Sequence, residues 1–307
     1  MAEQAAPIDA QDPAARLMRL ATIASVAVAA ILIVVKFGAW LYTDSVSLLS
    51  TLIDSLLDAA ASLVNFFAVK QALTPPDREH RFGHGKAEPL AALGQAAFIT
   101  GSAVFLVFEA AHRFYDPQPV ANSEVGIAVM VFAIVMTFGL TRFQAYVVRK
   151  TGSLAIKADS LHYLGDLLIN GAVIVALVLV SQLGWVYADP LFGMGIAAYI
   201  VYNAWLIARD ALDMLMDREL PNEERARIRD LVVRHPDVLS MHDLRTRSAG
   251  RMLFIQLHLE LDGGLSLYRA HEIADEVEAE LMAAFPGAEV IIHQDPYGLE
   301  EPPARFA

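Results

Sequence analysis

Two short stretches carry side chains whose types and spacing suit metal binding inside a membrane: Asp54-Ser55-Leu56-Leu57-Asp58 and His162-Tyr163-Leu164-Gly165-Asp166. In each, two ionisable groups stand four residues apart, so a helix places them on one face about 6 Å apart along its axis. Both stretches lie inside long apolar runs. A carboxylate at the centre of a membrane helix costs roughly 2.5–3.5 kcal/mol on insertion scales, so three of them need a partner. A divalent cation is such a partner. Asp54, Asp58, His162 and Asp166 together offer three oxygens and one nitrogen, enough for a closed tetrahedral site. In a soluble protein the same spacing would read as a solvated helix face. Within hydrocarbon it must face the bundle or a water-filled cavity.

Composition supplies the elements that position these groups. The chain has 307 residues, 56% of them apolar, which fits an integral membrane protein with an appended soluble domain. Cysteine is absent, so disulfides and thiolate sites are excluded, and any metal must bind through Asp, Glu, His or backbone oxygen. That donor set favours zinc, cadmium, ferrous iron, cobalt or manganese over cuprous copper. The net charge is −12, and the chain from Asp213 onward holds 19 acidic against 10 basic residues. Such a domain argues against nucleic acid and is compatible with gathering cations or with ordinary solubility.

Apolar runs predict six spans at about 21–40, 46–72, 89–113, 124–148, 155–183 and 190–212, separated by short polar connections. The first is too long for a secretory signal and has no small-residue cleavage site. Arg16, Arg19, Lys70, Arg78, Arg81, Lys86, Arg149, Lys150 and Lys157 fall at the ends that share a side with the N-terminus, against Arg113 opposite. The positive-inside rule then places both termini in the cytoplasm. The resulting division is a cytoplasmic tail over 1–20, a six-span transmembrane domain over 21–212, a cytoplasmic histidine-bearing domain over 213–295, and a C-terminal tail over 296–307. Span two carries a small or polar stripe (Ser47, Thr51, Asp54, Asp58, Ser62, Asn65), and span five repeats it with Asp159, His162, Asp166 and Asn170. The two spans run in opposite directions, so the two pairs can meet near mid-membrane if the helices are neighbours. Gly193 and Gly195 in span six point to close helix packing.

Between spans two and three, residues 75–86 (PPDREHRFGHGK) stop the helix with prolines and free the backbone with glycines. Asp77, His80 and His84 have ligand-like spacing for a second metal, and ordinary surface histidines are the competing reading. After Met216 the pattern predicts a helix over 223–235, strands over 240–246 and 252–261 about a turn at 248–250, an amphipathic helix over 266–285 and a closing strand over 289–294. This is a small α-β-β-α-β domain. Within 255–261 the apolar residues alternate with Gln256, His258 and Glu260, so His258 points away from the core. His242, His271, His293 and Asp295 complete a histidine-rich set, readable as a metal site or as separate surface histidines.

The stretches SLLSTLIDSLLDAAASL, HRFGHGKAEPLAAL, KADSLHYLGDLLINGA, MHDLRTR and VIIHQDP carry a resemblance over nearly the whole chain. The sequence resembles the cation diffusion facilitator family, in its bacterial zinc and ferrous-iron efflux branch. The resemblance implies a membrane all-α six-helix bundle followed by a small cytoplasmic α+β, metallochaperone-like domain. It also implies a homodimeric, proton-coupled antiporter in the inner membrane that exports divalent metal: zinc first, with cadmium or ferrous iron also accepted. By the same resemblance, Asp54, Asp58, His162 and Asp166 match the transport site, and Asp77, His80 and His84 match a loop site. His242, His258, His271, His293 and Asp295 match a binuclear cytoplasmic site where zinc is regulatory, with Gln294 beside it. Lys86 and Asp217 match a charge pair that helps lock the dimer. A membrane-anchored metal sensor or storage protein is the alternative, although it would not need four ligands buried at mid-membrane. An intramembrane metalloenzyme fits poorly, because no HExxH occurs and four protein ligands would close the site.

Overall fold

The computed structural model describes residues 12–43, 46–115, 124–183 and 187–298. Most of both expected tails lies outside them. The chain separates between Leu212 and Asp213 into two compact units.

The first unit is built from α1 (Pro13–Thr43), α2 (Val46–Ala72), α3 (Ala87–Tyr115), α4 (Glu124–Thr151), α5 (Leu154–Leu183) and most of α6 (Ala188–Leu215). Among the described residues, five of these helices, all but α5, have stretches long and apolar enough to cross a membrane. α5 is a 30-residue helix whose first half carries Lys157, Asp159, His162 and Asp166. α1 starts eight residues before the expected span because Pro13 needs no N–H partner at a helix start and Asp12 Oδ1 accepts from Ala14 N at 2.9 Å. Its buried residues Met18, Ala21, Ser25, Ala29 and Leu32 recur every three or four positions and form one inward stripe. At one end of the unit Ala15, Met18 and Ala21 pack with Val69 and Leu73 and with Val147, Ala155 and Ile156. Gly193 lets α6 approach α3, since a Cβ there would lie 3.4 Å from Ala110 Cβ, whereas Gly195 faces open space.

The second unit continues with α7 (Asn222–Val232), β1 (Ser240–Ala249), β2 (Met252–Leu261), α8 (Leu267–Ala284) and β3 (Ala288–Pro296). The strand order is β1-β2-β3, with β2 antiparallel to β1 and parallel to β3. Ser266 caps α8 by accepting from Arg269 N, and the α8 stripe Ile273, Val277 and Leu281 packs on Ile255, Leu257, Leu259 and Leu261. Both helices therefore cover one face of the sheet, and Gln256, His258 and Glu260 occupy the other.

β1 extends three residues beyond its expected end and contains a bulge. Its register runs from His242↔His258 directly to Arg245↔Gln256, so β1 spends one residue more than β2 across that step. Asp243, at φ 46°, is the residue that accommodates it, a left-handed conformation that Asp tolerates better than most. The extra residue reverses the facing of the strand. His242 lies on the open face, whereas Leu244 and Thr246 are buried on the core side.

Candidate metal centres

In the helical unit, α2 and α5 bring Asp58, His162 and Asp166 together, with one potential ligand atom from each lying within 4.8 Å of the others. His162 Nε2 is 3.0 Å from Asp58 Oδ1. The imidazole is 7% exposed and packs edge-on against Phe98 of α3, with ring centroids 5.8 Å apart. Gly165 lies between His162 and Asp166 because α6 passes close by: a Cβ there would meet Ile200 Cδ1 at 3.0 Å. Asp54 is not gathered into this group. It sits one turn before Asp58 on α2 and is exposed.

Immediately beside this cluster is a buried polar network that no sequence motif marks. Asp159 is 1% exposed. Its carboxylate accepts from Gln95 Nε2 at 3.1 Å, from Gln144 Nε2 at 2.6 Å and from the Ser25 hydroxyl. Gln144 Nε2 also reaches Ser25 Oγ at 2.9 Å, and Tyr163 OH, 2.8 Å from Ser62 Oγ, reaches the Ser25 carbonyl at 3.4 Å. The network thus ties α1, α2, α3 and α4 to the segment of α5 that presents His162.

Lys36 was hidden inside an apolar run of α1. Its ammonium donates to the Thr51 carbonyl at 3.1 Å and to Ser55 Oγ at 2.6 Å. An ionisable residue in a membrane helix is a functional candidate in its own right, and that signal was available in the sequence.

In the loop after α2, Asp77, His80 and His84 form a second group of ligand atoms. Asp77 Oδ1 accepts from the backbone N–H groups of His80 (2.6 Å) and Glu79 (2.9 Å), and these bonds hold its carboxyl below the usual value. His80 Nδ1 and His84 Nε2 each lie 3.3 Å from an Asp77 oxygen. His84 Nδ1 is buried without a hydrogen bond among the described residues, while its Nε2 faces Asp77.

In the second unit the register places His242, His258 and His293 in one row across the three strands. His242, His258 and Asp295 form a third group of ligand atoms, with Asp295 at the centre. Asp295 Oδ2 lies 2.8 Å from His258 Nδ1 and 3.8 Å from His242 Nε2, while its Oδ1 lies 3.1 Å from His293 Nε2. A carboxylate whose two oxygens face different imidazoles is suited to bridging two metal ions. Two acids outside the expected ligand set join the row: Glu260 Oε1 lies 3.0 Å from His242 Nδ1, and Asp243 Oδ2 lies 3.9 Å from His258 Nε2. Arg245 holds Asp243 by two hydrogen bonds (3.0 and 2.7 Å), which lower its carboxyl below the usual range. A cavity of about 250 Å³ opens on this face, lined by Asp243, Arg245, Gln256, His258 and His293 among others. His271 is not brought to the row. It lies on α8, exposed and 3.6 Å from Asp275, and the sheet stands between it and the other histidines. Lys86 and Asp217 belong to different units, and their expected pairing is taken up below.

Residues 22–216 match the family model described as the cation efflux transmembrane domain, and residues 220–297 match the cation efflux protein cytoplasmic domain. The chain belongs to the cation diffusion facilitator family. It is 50% identical over 282 residues to the cation-efflux pump FieF of Pectobacterium carotovorum, covering 92% of this chain and 94% of that one. It is also 50% identical over 283 residues to the FieF pump of Shewanella oneidensis, covering 92% and 95%. The metal-bound C-terminal domain of the CzcD transporter from Thermotoga maritima is 30% identical, covering 27% of this chain and all of that one at a TM-score of 0.25. This family member is a multi-pass membrane transporter of divalent cations and not an enzyme. Its second unit has the family's cytoplasmic-domain fold.

Proposed function

We propose that this transporter exports divalent metal from the cytoplasm in exchange for protons, with zinc the principal cargo and cadmium or ferrous iron also accepted. The observation that carries the reading is the convergence of Asp58, His162 and Asp166 from two apolar helices. These ligands bind metal when deprotonated and release it when protonated, so a proton arriving from outside displaces the ion. His162 is the natural proton carrier of the set. Asp54, one turn along α2, completes the ligands as the helices close on the ion. Exchange of one divalent ion for one proton would export a net positive charge against about 2.3 kcal/mol per 100 mV of inside-negative potential, so a second proton or a pH difference must assist.

On this reading both termini are cytoplasmic, the protein resides in the inner membrane, and 1–20, 21–212, 213–295 and 296–307 are its segments. The histidine row with Asp295 binds regulatory zinc when metal is abundant, and it acts by binding the competent state more tightly. The protein is a homodimer, aided by a Lys86–Asp217 charge pair. Because the sheet separates His271 from the row within one chain, a second copy is the source that brings it to a metal. Asp77, His80 and His84 bind a further ion at the loop.

Proton coupling is tested by trapping a pH-sensitive dye in proteoliposomes and adding zinc outside. Zinc entry should alkalise the lumen as protons leave. Zinc uptake without a pH change would reject antiport and leave metal transport standing.

A further inference from the structure

The Lys36 side chain is built into the wall of the transport site without being a ligand. Its ammonium is anchored on α2 by the Thr51 carbonyl and Ser55 Oγ, and Ser55 lies one residue from Asp54 and three from Asp58. The charged groups around it are the carboxylates of Asp58, Asp166 and Asp54. Among the described residues none of them forms an ion pair with it, so the ammonium is held by the Thr51 carbonyl and Ser55 Oγ and not by a carboxylate. In a poorly polarisable interior, charges that do not touch still act on one another strongly.

We propose that Lys36 is a built-in counter-cation of the metal site, setting its charge to match a divalent ion and its affinity low enough for release. With a neutral imidazole, three carboxylates and one ammonium leave the site at −2, so a divalent cation brings it to zero. Without the ammonium the same ligands would stand at −3. The divalent ion would then bind more tightly and leave more slowly. This rests on the transport-site reading above. Lys36 touches no metal on this account. It works through the field at the ligands, and its hydrogen bonds to Ser55 and Thr51 serve to hold the charge in place. Lysine suits that task because its three donors can bond a hydroxyl and a carbonyl at once.

The decisive variant is Lys36→Gln, which keeps a donor for Ser55 or Thr51 and removes the charge. Zinc flux into proteoliposomes is measured across zinc concentrations for the full-length parent, Lys36→Gln, Lys36→Met, Lys36→Arg and Asp58→Ala. The inference expects KM to fall at least tenfold in Lys36→Gln, with kcat falling as release slows, and Lys36→Arg to stay within about threefold of the parent. Lys36→Met should follow Lys36→Gln if it folds. A residue that merely positions α2 would give the opposite split, with KM raised or unchanged in Lys36→Gln. That result overturns the inference while Asp58→Ala, inactive, leaves the site reading intact. Parent-like flux in Asp58→Ala would overturn both.

Discussion

Gln144→Leu tests whether the network around Asp159 holds the bundle that presents His162. Gln144 is fully buried, and its Nε2 serves two acceptors, Asp159 Oδ2 at 2.6 Å and Ser25 Oγ at 2.9 Å. Leucine is close in size, so the change removes the donor with little loss of packing. Two scales bracket the outcome. Hydrogen bonds between membrane helices average about 0.6 kcal/mol, with a maximum near 1.7, because the unfolded chain in the membrane also finds partners. A hydrogen bond to a charged group contributes about 1.5–3 kcal/mol. The 2.6 Å contact is at the short, charge-assisted end. The expectation is therefore a loss of at least about 1.5 kcal/mol, more than tenfold in the unfolding equilibrium. The assay is reversible SDS denaturation of the purified protein followed by far-UV circular dichroism. A cycle with Asp159→Leu separates the hydrogen bond from packing, since residues sharing a network couple by about 0.5–3 kcal/mol. The double variant should be more stable than the sum of the singles, because it leaves neither partner buried alone. A Gln144→Leu loss within about 0.6 kcal/mol of the parent, with an additive cycle, would refute the reasoning.

Other expectations are more local. Gly165→Val places two branches where one Cβ already lies 3.0 Å from Ile200 Cδ1, so it should displace α6 or α5 and lower transport severalfold, measured as zinc flux at matched protein. In the second unit, His258→Ala and Asp295→Ala should each abolish the zinc-induced rise in thermal stability, whereas Asp275→Ala should leave it in place. Chelation of the parent should reproduce the loss. The Glu276 carboxyl is held below its ordinary value chiefly by a hydrogen bond with His235 Nε2 at 2.9 Å. A depressed carboxyl stabilises the fold above its unfolded value and loses that contribution as pH falls through the folded one, so the parent weakens from about pH 5 downward. Glu276→Gln should flatten that limb in pH-dependent melting, and an unchanged limb would remove the assignment.

Much of the fold was legible because membrane spans and amphipathic strands announce themselves through period and length. The four-residue spacing in DSLLD and HYLGD placed ligands on common faces, and α2 and α5 do bring Asp58 to His162 and Asp166. Spacing could not tell which of Asp54 and Asp58 reaches α5, since that depends on where the two helices cross. Lys36 does not stand out in the sequence, because a single charge scarcely alters the hydropathy of a long apolar run. Asp159 belongs to a polar stripe in the sequence, but its partners Ser25, Gln95 and Gln144 come from three other helices and no local pattern links them. Strand β1 outruns its expected end because Ser248 and Ala249, which read as turn residues, pair with Leu253 and Met252, and the bulge at Asp243 breaks the two-residue alternation that would place its side chain. His271 joins the other histidines by composition and resemblance alone. The Ile273, Val277 and Leu281 stripe already indicated that its helix covers the opposite face of the sheet.

The most direct test of the transport account is zinc uptake by proteoliposomes under an imposed pH gradient, comparing the parent with Asp58→Ala and His162→Ala. The account predicts gradient-driven uptake in the parent and at least a tenfold loss in each variant, with zinc binding by the second unit retained. Parent-level uptake in Asp58→Ala would contradict it.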